Sequence, residues 1–390
     1  MQLHIFNPEN DLALADGGAN YCAPPAARQI AFDLGALPLW FAPCTDVVHL
    51  PGEIHKKYYA RLSSLFNIAE PYESLHCSSL TGVSPWGWSP QIVRRIKQLG
   101  IPSALLPTDE YIGTMRALSN RRSSIKILSA LSEAGIDTPS LPSYFTTIDA
   151  AAAYIGSKER CVVKAPWSGS GKGIMWGLGR MEVPMEHFCK GVIRRQGGVV
   201  CEEFLFSKKE FAMEFRIVGG KAHFAGYSLF DASKGAYTGN LLAADEEIES
   251  LLTEYIAVEK IAAVRRALAV ILERLLAGSG YEGYLGIDMM LYDDGGKTRL
   301  NPCIELNLRM NMGVVSRLFY NHFVSPGATG RFFVAHYGSD GAAYAEHCRN
   351  RELYPLRVSS SRIESGYLNL SPITPENRYA VYVIIGKADY

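Results

Sequence analysis

The most constraining feature of this chain is one short stretch. Residues 161–164, Cys-Val-Val-Lys, read as an apolar strand bearing a lysine, and residues 166–173 continue as Pro-Trp-Ser-Gly-Ser-Gly-Lys-Gly before apolar residues return at Ile174. Alternate glycines at Gly169, Gly171 and Gly173 expose backbone N–H groups and let phosphate oxygens approach closely, while Lys164 and Lys172 supply charge. The pattern is not a Walker A loop, because Pro166 occupies the first glycine position and Gly173 replaces the magnesium-binding Ser or Thr. No helical period follows at once, so a dinucleotide-binding G-x-G-x-x-G turn fits no better. Taken alone, the loop also suits a tight hairpin without a ligand.

The rest of the chain narrows the partner. At about 150 residues per domain, 390 residues imply two or three domains. Lys plus Arg and Asp plus Glu both total 39, which argues against nucleic acid or an anionic membrane surface as partner and favours a small molecule. The N-terminus lacks a basic region followed by an apolar run, and the most apolar helical stretch, residues 256–276, carries Glu259, Lys260, Arg265, Arg266, Glu273 and Arg274. Eight scattered cysteines without a C-x-x-C pair suggest reduced thiols and neither a zinc site nor a disulfide framework. The expectation is a cytoplasmic protein; a homodimer is one option the sequence leaves open.

Along the chain, apolar runs at residues 3–6, 37–42 and 103–106 alternate with helical patterns at 25–34 and 91–100, predicting a parallel α/β sheet. Residues 75–90 have no clear period and are expected to be a loop. A helix is expected from Ser119 to its stop at Gly135, with Ile125, Leu128 and Leu131 on one face. A β-rich half-domain over 144–205, an antiparallel region over 211–230 and one long helix over 245–276 follow. The last 40 residues read as irregular chain ending in a strand over 379–385.

Two more constellations carry chemistry. Residues 199–205, Val-Val-Cys-Glu-Glu-Phe-Leu, form an apolar strand ending in Glu202 and Glu203, with Leu205 next and Glu210 eight residues past Glu202. Such a strand end can present backbone groups to an adenine edge, Leu205 to its face and Glu210 to ribose hydroxyls, or be a solvated terminus. The third spans residues 286–309, with an Asp-Asp-Gly-Gly-Lys turn signal at its centre. A turn between Gly296 and Lys297 sets Asp288 opposite Glu305, with Asn307 and Arg309 on the same face. Two carboxylates and an amide oxygen suit magnesium, and Arg309 suits a phosphoryl group.

In this order and spacing, the three segments resemble the ATP-grasp superfamily over roughly residues 117–318. The resemblance implies an α/β protein: an N-terminal parallel α/β domain (1–115), a small grasp subdomain with the phosphate loop (116–200) and a C-terminal subdomain with adenine hinge and metal site (201–390). It implies ATP held by Lys164, Ser168, Gly169, Ser170, Gly171, Lys172 and Gly173, by Glu202, Glu203 and Leu205 at adenine, and by Glu210 at ribose. Magnesium, or manganese in its place, falls to Asp288, Glu305 and Asn307, and catalysis to Arg309 and Lys172. Leu308 stands where many members have proline or threonine, and the family's lysine near the start of the preceding helix is missing, with Arg122 and Lys126 as substitutes.

The implied activity is ADP-forming carboxylate-amine ligation, with a small-molecule or peptide carboxylate activated as an acyl phosphate. A phosphotransferase on the same grasp and a nucleotide-binding regulatory protein are the alternatives. Arg216 and Asn311 are acceptor-binding nominees. Glu9, Asp11 and Asp16, in the loop after the first strand, either recognise an amine or merely cap the next helix.

Overall fold

The computed structural model describes residues 1–169, 173–233 and 236–386. A four-stranded parallel sheet opens the chain, built from β1 (Gln2–Ile5), β2 (Val47–Val48), β3 (Glu70–Pro71) and β4 (Gly82–Pro85) in the order β3-β2-β1-β4. Its helices are α1 (Asn10–Asp16), α2 (Pro25–Asp33), α3 (Glu53–Leu62) and α4 (Pro90–Gln98). The expected parallel sheet is present, but two of its expected strands are not. Residues Leu37–Trp40 form a 3-10 turn, because Pro38 has no N–H for a ladder and suits a first helical turn. Ser103–Leu105, set between Pro102 and Pro107, is another. Conversely, the expected loop over 75–90 contains β4, which pairs directly with β1.

Two helices, α5 (Asp109–Leu118) and α6 (Arg122–Glu133), lead into a small antiparallel sheet of β5 (Ser143–Phe145), β6 (Cys161–Lys164), β7 (Ile174–Gly177) and β8 (Val199–Glu203). Gly135, at φ 80°, ends α6 as its position predicts. One face of this sheet, with Cys161, Val163 and Cys201, is covered by α7 (Ile148–Gly156) and α8 (Val183–Gln196). The other face carries Val162, Lys164 and Glu202.

The largest sheet has nine strands among the described residues. Five of them, β9 (Phe206–Val218), β10 (Lys221–Ser233), β11 (Ala236–Leu242), β12 (Gly283–Asp294) and β13 (Lys297–Asn307), run in the order β13-β12-β9-β10-β11. The chain then adds β14 (Gly330–His336), β15 (Arg357–Ser359), β16 (Arg362–Asn369) and β17 (Tyr379–Ile385), so the terminal residues expected to be irregular are mostly strand. The helix expected over 245–276 is two, α9 (Asp245–Thr253) and α10 (Val258–Leu275). At the break the Thr253 hydroxyl donates to the Ser250 carbonyl at 2.6 Å, a side-chain bond that competes with the helical ladder. The buried stripe Ile261, Val264, Leu268, Ile271 and Leu272 on α10 packs with Ile127, Leu128 and Leu131 of α6 against β9 and β12.

Helix α11 (Met312–Phe323) leaves β13, and α12 (Ala342–Leu353) covers β16. A core around Trp40 joins Phe6, Leu37 and Trp86 to Phe319, Phe332, Val381 and Val383, binding the first sheet to the last strands. No helix among the described residues is long and apolar enough to cross a membrane.

Candidate active site

The hairpin β12–β13 reaches the expected pairing by an unexpected route. Its turn centres between Gly295 and Gly296, at φ 60° and 86°, and pairs Asp294 with Lys297. That register, continued along the ladder, would set Asp288 opposite Cys303 and leave Glu305 out of line. A bulge between Met290/Asn301 and Asp288/Glu305 shifts the register by two residues, and Pro302, which cannot donate to a ladder, lies within it. Asp288 therefore opposes Glu305, and Asn307 lies two residues on. Asn307 Nδ2 donates to Asp288 Oδ2 at 3.0 Å.

Burial pushes the Asp288 carboxyl up to about 7, and the neighbouring charge of Glu305 pushes the same way. Glu210 on β9 adds to that field from its place beside Met290. A fourth carboxylate, Glu214, shares this face opposite Gly286 and is 1% exposed. Its environment raises it to about 8, chiefly through burial, against one hydrogen bond from Asn311 Nδ2 at 2.9 Å. A Cβ at Gly286 or Gly313 would overlap this carboxylate, so both glycines are needed to admit it. Sequence reasoning missed Glu214; its signal is an acid inside the otherwise apolar run Phe211-Ala212-Met213-Glu214-Phe215.

The small sheet contributes Lys164, whose charge reaches Cys303 on β13. Lys164 Nζ pairs with Glu202, near the end of β8. Glu203 turns to Lys158 at 3.7 Å, and Leu205 is half-buried beside it. The glycine-rich loop closes at its base through Ala165 N–H donating to the Gly173 carbonyl at 2.8 Å. Ser168 is buried, and Gly169 has no room for a side chain because its Cβ would come within 2.7 Å of Asp11 Oδ2. Ser170, Gly171 and Lys172 lie outside the described residues.

Arg121, immediately before α6, is the cation of this region that turns inward. Its Nη1 donates to the Ala165 carbonyl at 2.7 Å and to Ser168 Oγ at 2.5 Å, and its Nη2 meets Glu305 Oε2 at 2.7 Å. It thus ties the start of the glycine-rich loop to a carboxylate of β13. Arg122 instead lies exposed over the Tyr144 ring, and Lys126 is exposed, because each is turned off the buried face of α6.

Arg309 is claimed from the other side. Its Nε and Nη2 donate to both oxygens of Asp11, at 2.8 and 2.6 Å, and Nη1 donates to the Met310 carbonyl. Of the three acids expected in a loop after β1, only Glu9 precedes helix α1, which contains Asp11 and Asp16; Asp11 is committed to Arg309, and Asp16 Oδ1 accepts from Gly18 N–H. Of the nominees for acceptor binding, Asn311 caps α11 through Val314 N–H and donates to Glu214, while Arg216 lies exposed over Tyr284. Cys201 and Cys303 are buried, and burial raises both thiols, as expected for small hydrophobes. A small cleft lined by Asp11, Ser168, Glu305, Asn307 and Arg309 marks where these elements meet.

No protein-family model matches the chain, and no curated protein is similar to it in sequence. Solved structures are similar in fold. N5-carboxyaminoimidazole ribonucleotide synthetase, in a complex with ADP, superposes with a TM-score of 0.51 at 13% identity, covering 99% of this chain and 93% of its own. Biotin carboxylase from Campylobacter jejuni, in a β,γ-ATP complex, gives 0.51 at 12% identity, over 99% and 87%. The chain has the ATP-grasp fold, with a parallel sheet preceding antiparallel ones.

Proposed function

We propose that this protein is an ADP-forming, ATP-dependent carboxylate-amine ligase. The observation that carries the reading is the meeting of Ser168 and Arg121 with Glu305, beside which Asp288, Asn307 and Arg309 gather on and after the β12–β13 hairpin, with the charge of Lys164 reaching the same strand at Cys303. Cations and hydroxyl on one side and hard oxygen donors on the other suit a magnesium-bound triphosphate. ATP phosphates would lie along the Ser168–Gly173 loop with Lys164 and Lys172, adenine against Glu202, Glu203 and Leu205, and ribose at Glu210.

Magnesium fits Asp288, Glu305 and Asn307. Among the described residues no group of three His, Cys, Asp or Glu side chains gathers as a self-sufficient metal site. Two carboxylates and an amide suit an ion that keeps waters and shares substrate phosphates. A partly buried carboxyl raised as Asp288 is needs a nearby positive charge to ionise fully at neutral pH. When bound, the metal supplies charge neutralisation and polarises a phosphoryl oxygen.

In the proposed reaction, a substrate carboxylate attacks the γ-phosphorus, the bond to the β-phosphate oxygen breaks, and ADP leaves. An amine then attacks the acyl phosphate, losing a proton and releasing phosphate. Arg309 and Lys172 stabilise the transferring group. The test is ADP and phosphate release from purified protein with magnesium-ATP against pools of carboxylates and amines. Release that needs both pools supports the ligase; release with one pool alone replaces it by a phosphotransferase.

A further inference from the structure

One loop in the first sheet carries polar atoms that the site above does not use. Glu9 follows β1, at the carboxyl end of the parallel strands, where open α/β sheets place ligands. It is 6% exposed, its side chain makes no capping bond to α1, and its Oε2 is buried without a partner. Its one side-chain contact is Gln91 Nε2, 3.5 Å from Oε1. Gln91 Oε1 is itself buried without a partner. Each of these two neighbouring side chains thus keeps one buried oxygen without a partner, an arrangement that costs free energy unless an N–H group completes it.

A cation lies one helical turn away. Gln91 and Arg95 share a face of α4, being four residues apart. Arg95 makes no side-chain hydrogen bond or ion pair among the described residues, yet its charge reaches both Glu9 and His49, the residue that follows β2. Asn7 fixes the arrangement by donating to the Gly87 carbonyl at 2.8 Å, which ties the Glu9 loop to the segment entering α4. Two residues past Glu9, Asp11 holds Arg309, so these side chains lie close in the chain to the proposed phosphoryl-transfer site.

We propose that Glu9, Gln91 and Arg95 bind an amino acid as a zwitterion, its ammonium donating to Glu9 Oε2 and Gln91 Oε1 and its carboxylate pairing with Arg95. Its role as the amine-bearing substrate rests on the ligase reading; the pocket itself does not. Saturation-transfer NMR on the full chain, without nucleotide and with the twenty L-amino acids in small pools, reads the pocket directly. At least one amino acid is expected to bind, and Glu9→Gln and Arg95→Met are each expected to weaken it about ten-fold or more, with ATP affinity by calorimetry kept. Absence of binding by every member, or binding unchanged in both variants, overturns the proposal. Arg95→Met, on the less buried residue, decides the matter if Glu9→Gln fails to fold. Should wild-type protein bind no ATP, the ligase reading falls while the NMR result still judges the pocket.

Discussion

Two acids, the buried Glu214 and the partly buried Asp288, make the stability of the metal-free protein depend on pH. For Glu214 the folded carboxyl is raised from 4.5 to about 8. Below the lower value both folded and unfolded chains are protonated and no penalty exists. As pH rises between the two values the unfolded chain ionises first, so stability falls, by something on the order of a few kcal/mol once the upper value is passed. Glu214→Gln should therefore flatten the decline in denaturation midpoint between about pH 5 and pH 8.5, and an unchanged slope would remove Glu214 as its source. Asp288→Asn should stabilise the metal-free protein while cutting ADP release about a hundred-fold or more; equal release would sink the magnesium assignment. Arg121→Lys keeps the charge but cannot serve two acceptors and Glu305 together, so ADP release should fall about ten-fold. These residues differ in how readable they were. Asp288, Glu305 and Asn307 sit on adjoining strands within one hairpin, whereas Arg121 finds Glu305 184 residues away and Arg309 finds Asp11 298 residues away, separations that no local pattern encodes.

Elements deliver these side chains through register. The β12–β13 turn requires left-handed backbone at Gly295 and Gly296, but the bulge around Pro302 lies between the turn and the Asp288–Glu305 pair, so turn chemistry alone does not set that pairing. The small sheet makes a test available at this scale. Trp176 on β7 lines up across the ladder with Val162 and Glu202, on the face that carries Lys164, and is 60% exposed while Trp40, Trp86 and Trp167 are buried. Nucleotide binding should change its emission, and Trp176→Phe should abolish most of the signal; a full signal in that variant would place the nucleotide elsewhere. Strands β6, β7 and β8 were legible because alternation and glycine spacing are local. The 3-10 turn at Leu37–Trp40 was not, since an apolar run looks alike in a strand and in a buried turn.

At the scale of the molecule, the first sheet and the last strands share one core. Trp40 is fully buried there, stacks edge-on with Phe319 and Phe323, and donates its indole N–H to the Leu370 carbonyl at 2.8 Å. Tyr58 O–H donates to the Asn369 carbonyl at 2.6 Å, and Asp33 accepts the N–H groups of Arg378 and Tyr379. Trp40→Ala should cost about 3–5 kcal/mol and lower the protection of β1 and β17 together in hydrogen exchange, whereas loss confined to one of them would refute a shared core. The Met310 N–H bond to the Trp86 carbonyl, at 3.0 Å, extends the same joint to the end of β13. By itself the sequence determined many of the elements and the residue types each carries, because periodicity, glycine spacing and alternating acids act over a few residues, but not the turn at Leu37–Trp40 or strands β15 and β16. Only the tertiary structure decided which charges meet: Asp11 on Arg309, Arg121 on Glu305, Glu214 between two glycines. Those pairings depend on the packing of sheets whose strands are hundreds of residues apart, and burial, which sets their energies, exists only once the chain has folded.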